Sequence, residues 1–171
     1  MKKALFVMDA QEDFIGEQRN KEKFDYDDVD HLIRSINERI SFYEKNNDPV
    51  IYIATVYPNN FFFNKFIKYG ISGSMGSKID RRIKIVSENY FEKQSRNAFI
   101  NKNLKKFIRD NNIDEIELTG VNASCWVTKT AESARKLKLK VNINRDCVQT
   151  AYPNRMDKVL KKLEQCGVAY I

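Results

Sequence analysis

Histidine is almost missing from this sequence: His31 is the single one in 171 residues. A mononuclear metal site built on two imidazoles is therefore excluded. His31 follows "DYDDVD" at the start of a helical pattern, where its plain reading is an exposed helix residue. Cysteine is scarce as well. Cys125, Cys147 and Cys166 are odd in number, widely spaced and without a C-x-x-C pair. That excludes a zinc ribbon and points to reduced thiols in a cytoplasmic protein. Long apolar runs are absent too, and none approaches the roughly 18 residues of a membrane span. The opening "MKKALFVMDAQEDF" does not suit export, because Asp9, Glu12 and Asp13 break its apolar run after about six residues. No block of about five or six basic residues occurs. The net charge is +7, yet the lysines are mixed with acids, as in "NKNLKKFIRD" and "DKVLKKLEQC". That is a solvated surface rather than a nucleic-acid footprint. Neither internal repeats nor a linker divide the chain, so one domain over residues 1–171 is expected.

What is present is an alternation of strand and helix patterns. "ALFVM" and "VIYIATV" are apolar throughout, as strands buried on both faces are. Between them Val29, Leu32, Ile33, Ile36, Ile40 and Tyr43 recur at helical spacing behind Asp27 and Asp28 as candidate caps. "IKIV" (83–86) is a candidate short strand. Leu104, Phe107 and Ile108 mark a helix, and "IDEIELTG" a strand. Val127, Ala131, Ala134 and Leu137 give a helix with small residues for close packing, and "KLKVNIN" a further strand. Met156, Val159, Leu160 and Leu163 form a last helix, stopped by Gly167 before "VAYI". The order predicts a three-layer, Rossmann-like α/β fold: a central, mostly parallel sheet with helices on both faces. Ligands in such sheets sit beyond the carboxyl ends of the strands. Asp9, the 55–63 loop and the 120–126 turn all lie there. The irregular stretch from Tyr57 to Asp80 is long enough to form part of a site or a subunit contact. Its Phe61, Phe62 and Phe63 read first as core packing and second as pocket lining or a contact between copies.

Taken singly, the chemistry-bearing residues are ambiguous. Asp9 in "VMDAQEDF" either acts at a strand's carboxyl end or caps the next turn. Lys93 is one lysine among many. Cys125 stands where a helix should begin, and the N–H groups and dipole there favour a thiolate, whereas free cysteines usually serve as packing residues. Taken together they resemble a family. "VMDAQEDF" is similar to the D-x-Q-x-D-F opening of the isochorismatase-like cysteine hydrolases. "IDRRIKIVSENYFEKQSRNAF" resembles their stretch ending in K-x-x-x-S-A-F, and "LTGVNASCWVTKTAESA" their G-[IV]-x-x-x-x-C-V-x-x-T-A turn. The resemblance spans nearly the whole chain, in order. It implies a six-stranded parallel sheet and an Asp–Lys–Cys site that hydrolyses a C–N bond of a small amide or carbamoyl compound. Asp9 would be the general base and Lys93 the cation beside it. A cis peptide between Val121 and Asn122 would turn the Asn122 N–H toward the oxyanion. A small-molecule substrate or ligand and a homo-oligomer are expected, with no cofactor, membrane or nucleic acid. The loop "TVYPNNFFFN" lacks the Asp and His of metal-binding nicotinamidases, so nicotinamidase activity is not expected.

One position departs from the pattern. Counted from Gly120 or back from Thr130 and Ala131, the family cysteine falls on Trp126, and Cys125 is one residue early. Two arrangements are open. A tighter turn with a bulged helix start would bring Cys125 to Asp9 and Lys93. Alternatively, the register holds, and the chain is a catalytically silent member that binds a small ligand or a partner. One residue on a helix is about 100° of rotation. In that second arrangement Trp126 enters the cleft, while Cys125 turns to the interior and reacts no faster than Cys147 or Cys166.

Overall fold

The computed structural model describes residues 1–171. Six strands form one sheet: β1 (Lys2–Met8), β2 (Val50–Thr55), β3 (Tyr90–Lys93), β4 (Ile113–Val121), β5 (Lys140–Gln149) and β6 (Val168–Tyr170). Their order is β3-β2-β1-β4-β5-β6, and every pair is parallel. The helices are the short α1 (Glu12–Ile15), then α2 (Val29–Lys45), α3 (Lys102–Asp110), α4 (Thr128–Lys136) and α5 (Met156–Gln165). None is long and apolar enough to cross a membrane.

Alternation along the strands explains the layers. On β1, Ala4, Phe6 and Met8 face one side and Leu5 and Val7 the other, and all five are fully buried. The first side packs on Leu104 and Ile108 of α3, Ala131 and Ala134 of α4, and Leu163 of α5. The second packs on α2 through Leu32, Ile36, Ile40 and Tyr43. Asp28 alone caps α2, accepting the His31 N–H at 2.8 Å.

The candidate strand at 83–86 is not in the sheet. That segment crosses the α2 side, where Ile83 is buried. Side chains hold it: the Lys84 N–H donates to Asn37 Oδ1 at 2.8 Å, and the Tyr52 hydroxyl donates to the Lys84 carbonyl at 2.7 Å. The third strand lies later, at Tyr90–Lys93, paired with β2 at the sheet edge. Its last residue, Lys93, is thereby placed beside Thr55, the last of β2.

The reversal of strand order falls between β1 and β4, where a doubly wound sheet opens a crevice. Gly120 makes that crevice tight. Its φ is +107°, and a Cβ there would stand 1.9 Å from the Met8 carbonyl oxygen, so the site demands glycine.

Candidate functional site

Four strand ends converge. Asp9 directly follows β1 with φ +54°, a left-handed backbone that few non-glycine residues hold. Its N–H is tied to the Ile53 carbonyl at 2.8 Å. Asp9 Oδ1 receives the Lys93 ammonium at 2.9 Å and the Thr55 hydroxyl at 2.7 Å. Lys93 Nζ also donates to Thr55 Oγ1 at 2.5 Å, which closes a three-membered polar unit. The Asp9 and Lys93 side chains are both 0% exposed. Burial pushes the Asp9 carboxyl above its ordinary range, although the charge and hydrogen bond of Lys93 and the Thr55 hydroxyl pull it down. Asp9 Oδ2 has no hydrogen-bond partner.

Gln11 fixes this geometry from behind. Its amide donates to the carbonyls of Thr55 and Ser77 at 3.0 and 2.7 Å, and its carbonyl accepts the Thr55 N–H at 2.7 Å. Fully buried, it clamps the end of β2 to the 57–80 segment. Thr55 was not singled out from the sequence. A threonine at a strand end is ordinary; its one signal is that β2 must end beside β1.

The turn after β4 carries the expected cis peptide between Val121 and Asn122. A π-helical turn, Ala123–Val127, then leads into α4. The N–H groups of Cys125, Trp126 and Val127 all converge on the Asn122 carbonyl, and the Thr128 hydroxyl donates to Ala123 O at 2.6 Å. The helix start is therefore bulged, yet the bulge does not deliver Cys125 to the polar unit. Asp9 Oδ1 is occupied by Thr55 and Lys93, and Oδ2 is empty of any partner, thiol included. Trp126 stands there instead. Its ring centroid is 5.2 Å from Lys93 Nζ, within cation–π reach. The indole packs edge-on against Phe14 at 5.0 Å and tilted against Tyr69 at 6.5 Å.

Cys125 does not turn to the interior as the helical rotation suggested. A π turn rotates less per residue than an α-helix, so neighbouring side chains diverge less. Cys125 is half-buried and lines a cleft of about 430 Å³ beside Asn122 and Trp126. Asp9 and Lys93 do not line that cleft, whereas Trp126 touches both it and Lys93. The aromatic loop also departs from expectation. Phe61 and Phe62 are exposed rather than core, and Phe63 stacks on Tyr57 of the cleft wall at 5.0 Å.

Metal donors are not assembled. The loop "TVYPNNFFFN" at the end of β2 offers neither carboxylate nor imidazole, and no three His, Cys, Asp or Glu side chains come together. The residues present do not fit a bound transition metal.

Comparison with solved structures gives matches over the full chain. One is a pyrazinamidase of Pyrococcus horikoshii in complex with zinc, at 20% identity and TM-score 0.84, covering 100% of this chain and 99% of that one. Another is the nicotinamidase/pyrazinamidase of Bacillus subtilis, at 21% identity and TM-score 0.86, covering 99% of both chains. A third is the N-carbamoylsarcosine amidase of Thermoplasma acidophilum, at 24% identity and TM-score 0.79, covering 99% of this chain and 95% of that one. At such identities the likeness is one of fold. No curated protein matches by sequence. The Isochorismatase domain matches residues 3–171, from the second residue of β1 to the end of β6 and beyond, and the chain belongs to that family.

Proposed function

We propose that this chain is a non-hydrolysing member of the family, which uses the cleft in front of Trp126 to bind a small molecule. The observation that supports the reading is the placement of Trp126 over Lys93, beside an Asp9 Oδ2 that no thiol approaches. Covalent hydrolysis of an amide needs a nucleophile within hydrogen-bond reach of its base, about 2.6–3.2 Å for oxygen and nitrogen and longer for sulfur. An indole offers only an N–H donor and a π face, so it cannot take that part. Base and cation remain, and the attacking atom is lacking.

A second reading keeps hydrolysis through Cys125, because its thiol lines the same cleft. One experiment separates the two. The purified protein is assayed for ammonia release on a panel of small amides and carbamoyl compounds, beside Cys125→Ser and Trp126→Cys. The expected result is no release above buffer for the unmutated protein. In Trp126→Cys a thiol is expected that iodoacetamide alkylates faster than Cys125, since Asp9 and Lys93 already stand beside it. Ammonia release by the unmutated protein, lost in Cys125→Ser, would overturn the proposal and assign hydrolysis to Cys125.

A further inference from the structure

The cleft's lining has one charge sign. Lys23, Arg96 and Arg155 contribute to it, and no acidic side chain does, in a chain that holds 23 acids. None of the three cations forms an ion pair, although eleven other cations of the chain do. All three are exposed, which puts them at the rim. Two are braced on rings: Lys23 Nζ stands 4.3 Å from the centroid of Tyr69, and the Arg155 guanidinium 4.5 Å from that of Tyr152. Such bracing leaves the N–H groups free to point at a ligand.

The wall below the rim is aromatic. Tyr57, Tyr69 and Trp126 follow one another at centroid separations of 6.0 and 6.5 Å. Phe14 packs edge-on against both Tyr69 and Trp126, which fixes the orientation of that wall. The volume of about 430 Å³ is at the small end of the range for ligand pockets. Aromatic faces favour a planar ring, and unpaired cations without acids favour an anion. Lys93 and Asp9, shut off by Trp126, take no part in this recognition.

We propose that the cleft binds a small aromatic acid, with its ring against Trp126, Tyr57 and Tyr69 and its carboxylate or phosphate at Lys23, Arg96 and Arg155. This rests on the reading of the cleft as a binding site and names the ligand class. Neutral amides lack the anion and bind more weakly.

Trp126 is the only tryptophan, so the protein has a single side-chain indole N–H resonance, located in the cleft wall. The ¹⁵N-labelled protein is titrated with benzoate, phenyl phosphate, benzamide, cyclohexanecarboxylate and inorganic phosphate. Benzoate or phenyl phosphate is expected to shift the indole resonance saturably, at least about tenfold tighter than benzamide or cyclohexanecarboxylate. The tighter of the two identifies the anion as carboxylate or phosphate. Arg96→Gln, Arg155→Gln and Lys23→Gln, all at exposed positions, should each weaken the aryl anion about three- to tenfold and leave benzamide unchanged. Raising the salt should weaken the anion alone. The inference is overturned if benzamide binds as tightly as the anions, if no aryl probe shifts the resonance, or if the triple Gln variant binds the anion unchanged. Ammonia appearing in the benzamide sample would instead refute the non-hydrolysing reading, and the ranking of affinities would still decide the ligand class.

Discussion

Replacing Lys93 by Met removes the ammonium 2.9 Å from Asp9 Oδ1 and keeps an apolar chain of similar length. Asp9 is then left with the Thr55 hydroxyl on Oδ1 and nothing on Oδ2. Both side chains of the pair are 0% exposed, so water cannot take the cation's place. Breaking such a buried pair costs about 3–5 kcal/mol. The carboxyl can escape part of that cost by taking up a proton. Burial already holds it above 3.8, and Lys93 is the chief opposing influence, so the substitution raises it further. The sign follows from linkage. A folded-state value above the unfolded one means that the folded protein binds the extra proton, so stability falls as pH rises from about 4 through the folded value. The slope there is at most about 1.4 kcal/mol per pH unit. Urea denaturation followed by circular dichroism at pH 4, 6 and 8 measures it. Lys93→Met should be destabilised by about 3–5 kcal/mol at pH 8 and by distinctly less at pH 4. Lys93→Met combined with Asp9→Asn, which suits the left-handed backbone, should recover most of the loss. A loss under about 1 kcal/mol at pH 8, or one that does not change with pH, would refute the buried-pair reasoning.

Gly120→Ala should cost about 2–4 kcal/mol, because a methyl group at φ +107° meets the Met8 carbonyl oxygen; a thermal midpoint unchanged from the parent would contradict that contact. Cys125 and Cys147 should separate on alkylation followed by mass spectrometry. Cys125, open to the cleft, is modified in the folded protein. Cys147 is 1% exposed, and burial, with the Glu117 charge behind it, pushes its thiol up to about 12, so it should react only after unfolding. Equal rates for the two thiols in the native protein would count against this arrangement of the turn. Gln11→Ala strips three hydrogen bonds from buried backbone groups of Thr55 and Ser77 and should cost about 2–4 kcal/mol. Hydrogen exchange should then quicken at Thr55 and across 70–80, and unchanged protection there would contradict the clamp.

The layers were legible because fully buried parallel strands read as continuous apolar runs and their helices as 3.6-residue stripes. The edge strand was not. "YFEK" is exposed at alternate positions, whereas the more apolar "IKIV" is used to pack on α2, so hydrophobicity pointed to the wrong segment. Asp9 and Lys93 were recoverable from motif order, since each ends or follows a strand. The orientation of Cys125 was not, because the π turn at 123–127 does not follow the roughly 100° rotation of an ideal helix. The cleft lining was wholly out of reach. Lys23, Tyr57, Tyr69, Arg96 and Arg155 come from separate segments with no shared spacing, and only the packed chain gathers them.

On the proposed non-hydrolysing reading, the pairing of Asp9 with Lys93 without a nucleophile has a folding explanation. Either partner alone would be a buried, uncompensated charge, so neither can be lost singly without a cost of several kcal/mol. The nucleophile position has no such constraint. A thiol there is replaceable by any group that covers the ammonium, and an indole covers it well. Its π face attracts a desolvated cation by about 2 kcal/mol. Its edge contact with Phe14 and its tilted contact with Tyr69 fill the space that a smaller residue would leave open. Asp9 and Lys93 are therefore held by the requirements of the fold, and on that reading the residue that bears on chemistry is the one at position 126. On that reading the buried Asp9–Lys93 pair serves the fold, and the atom facing it decides whether the site reacts or binds.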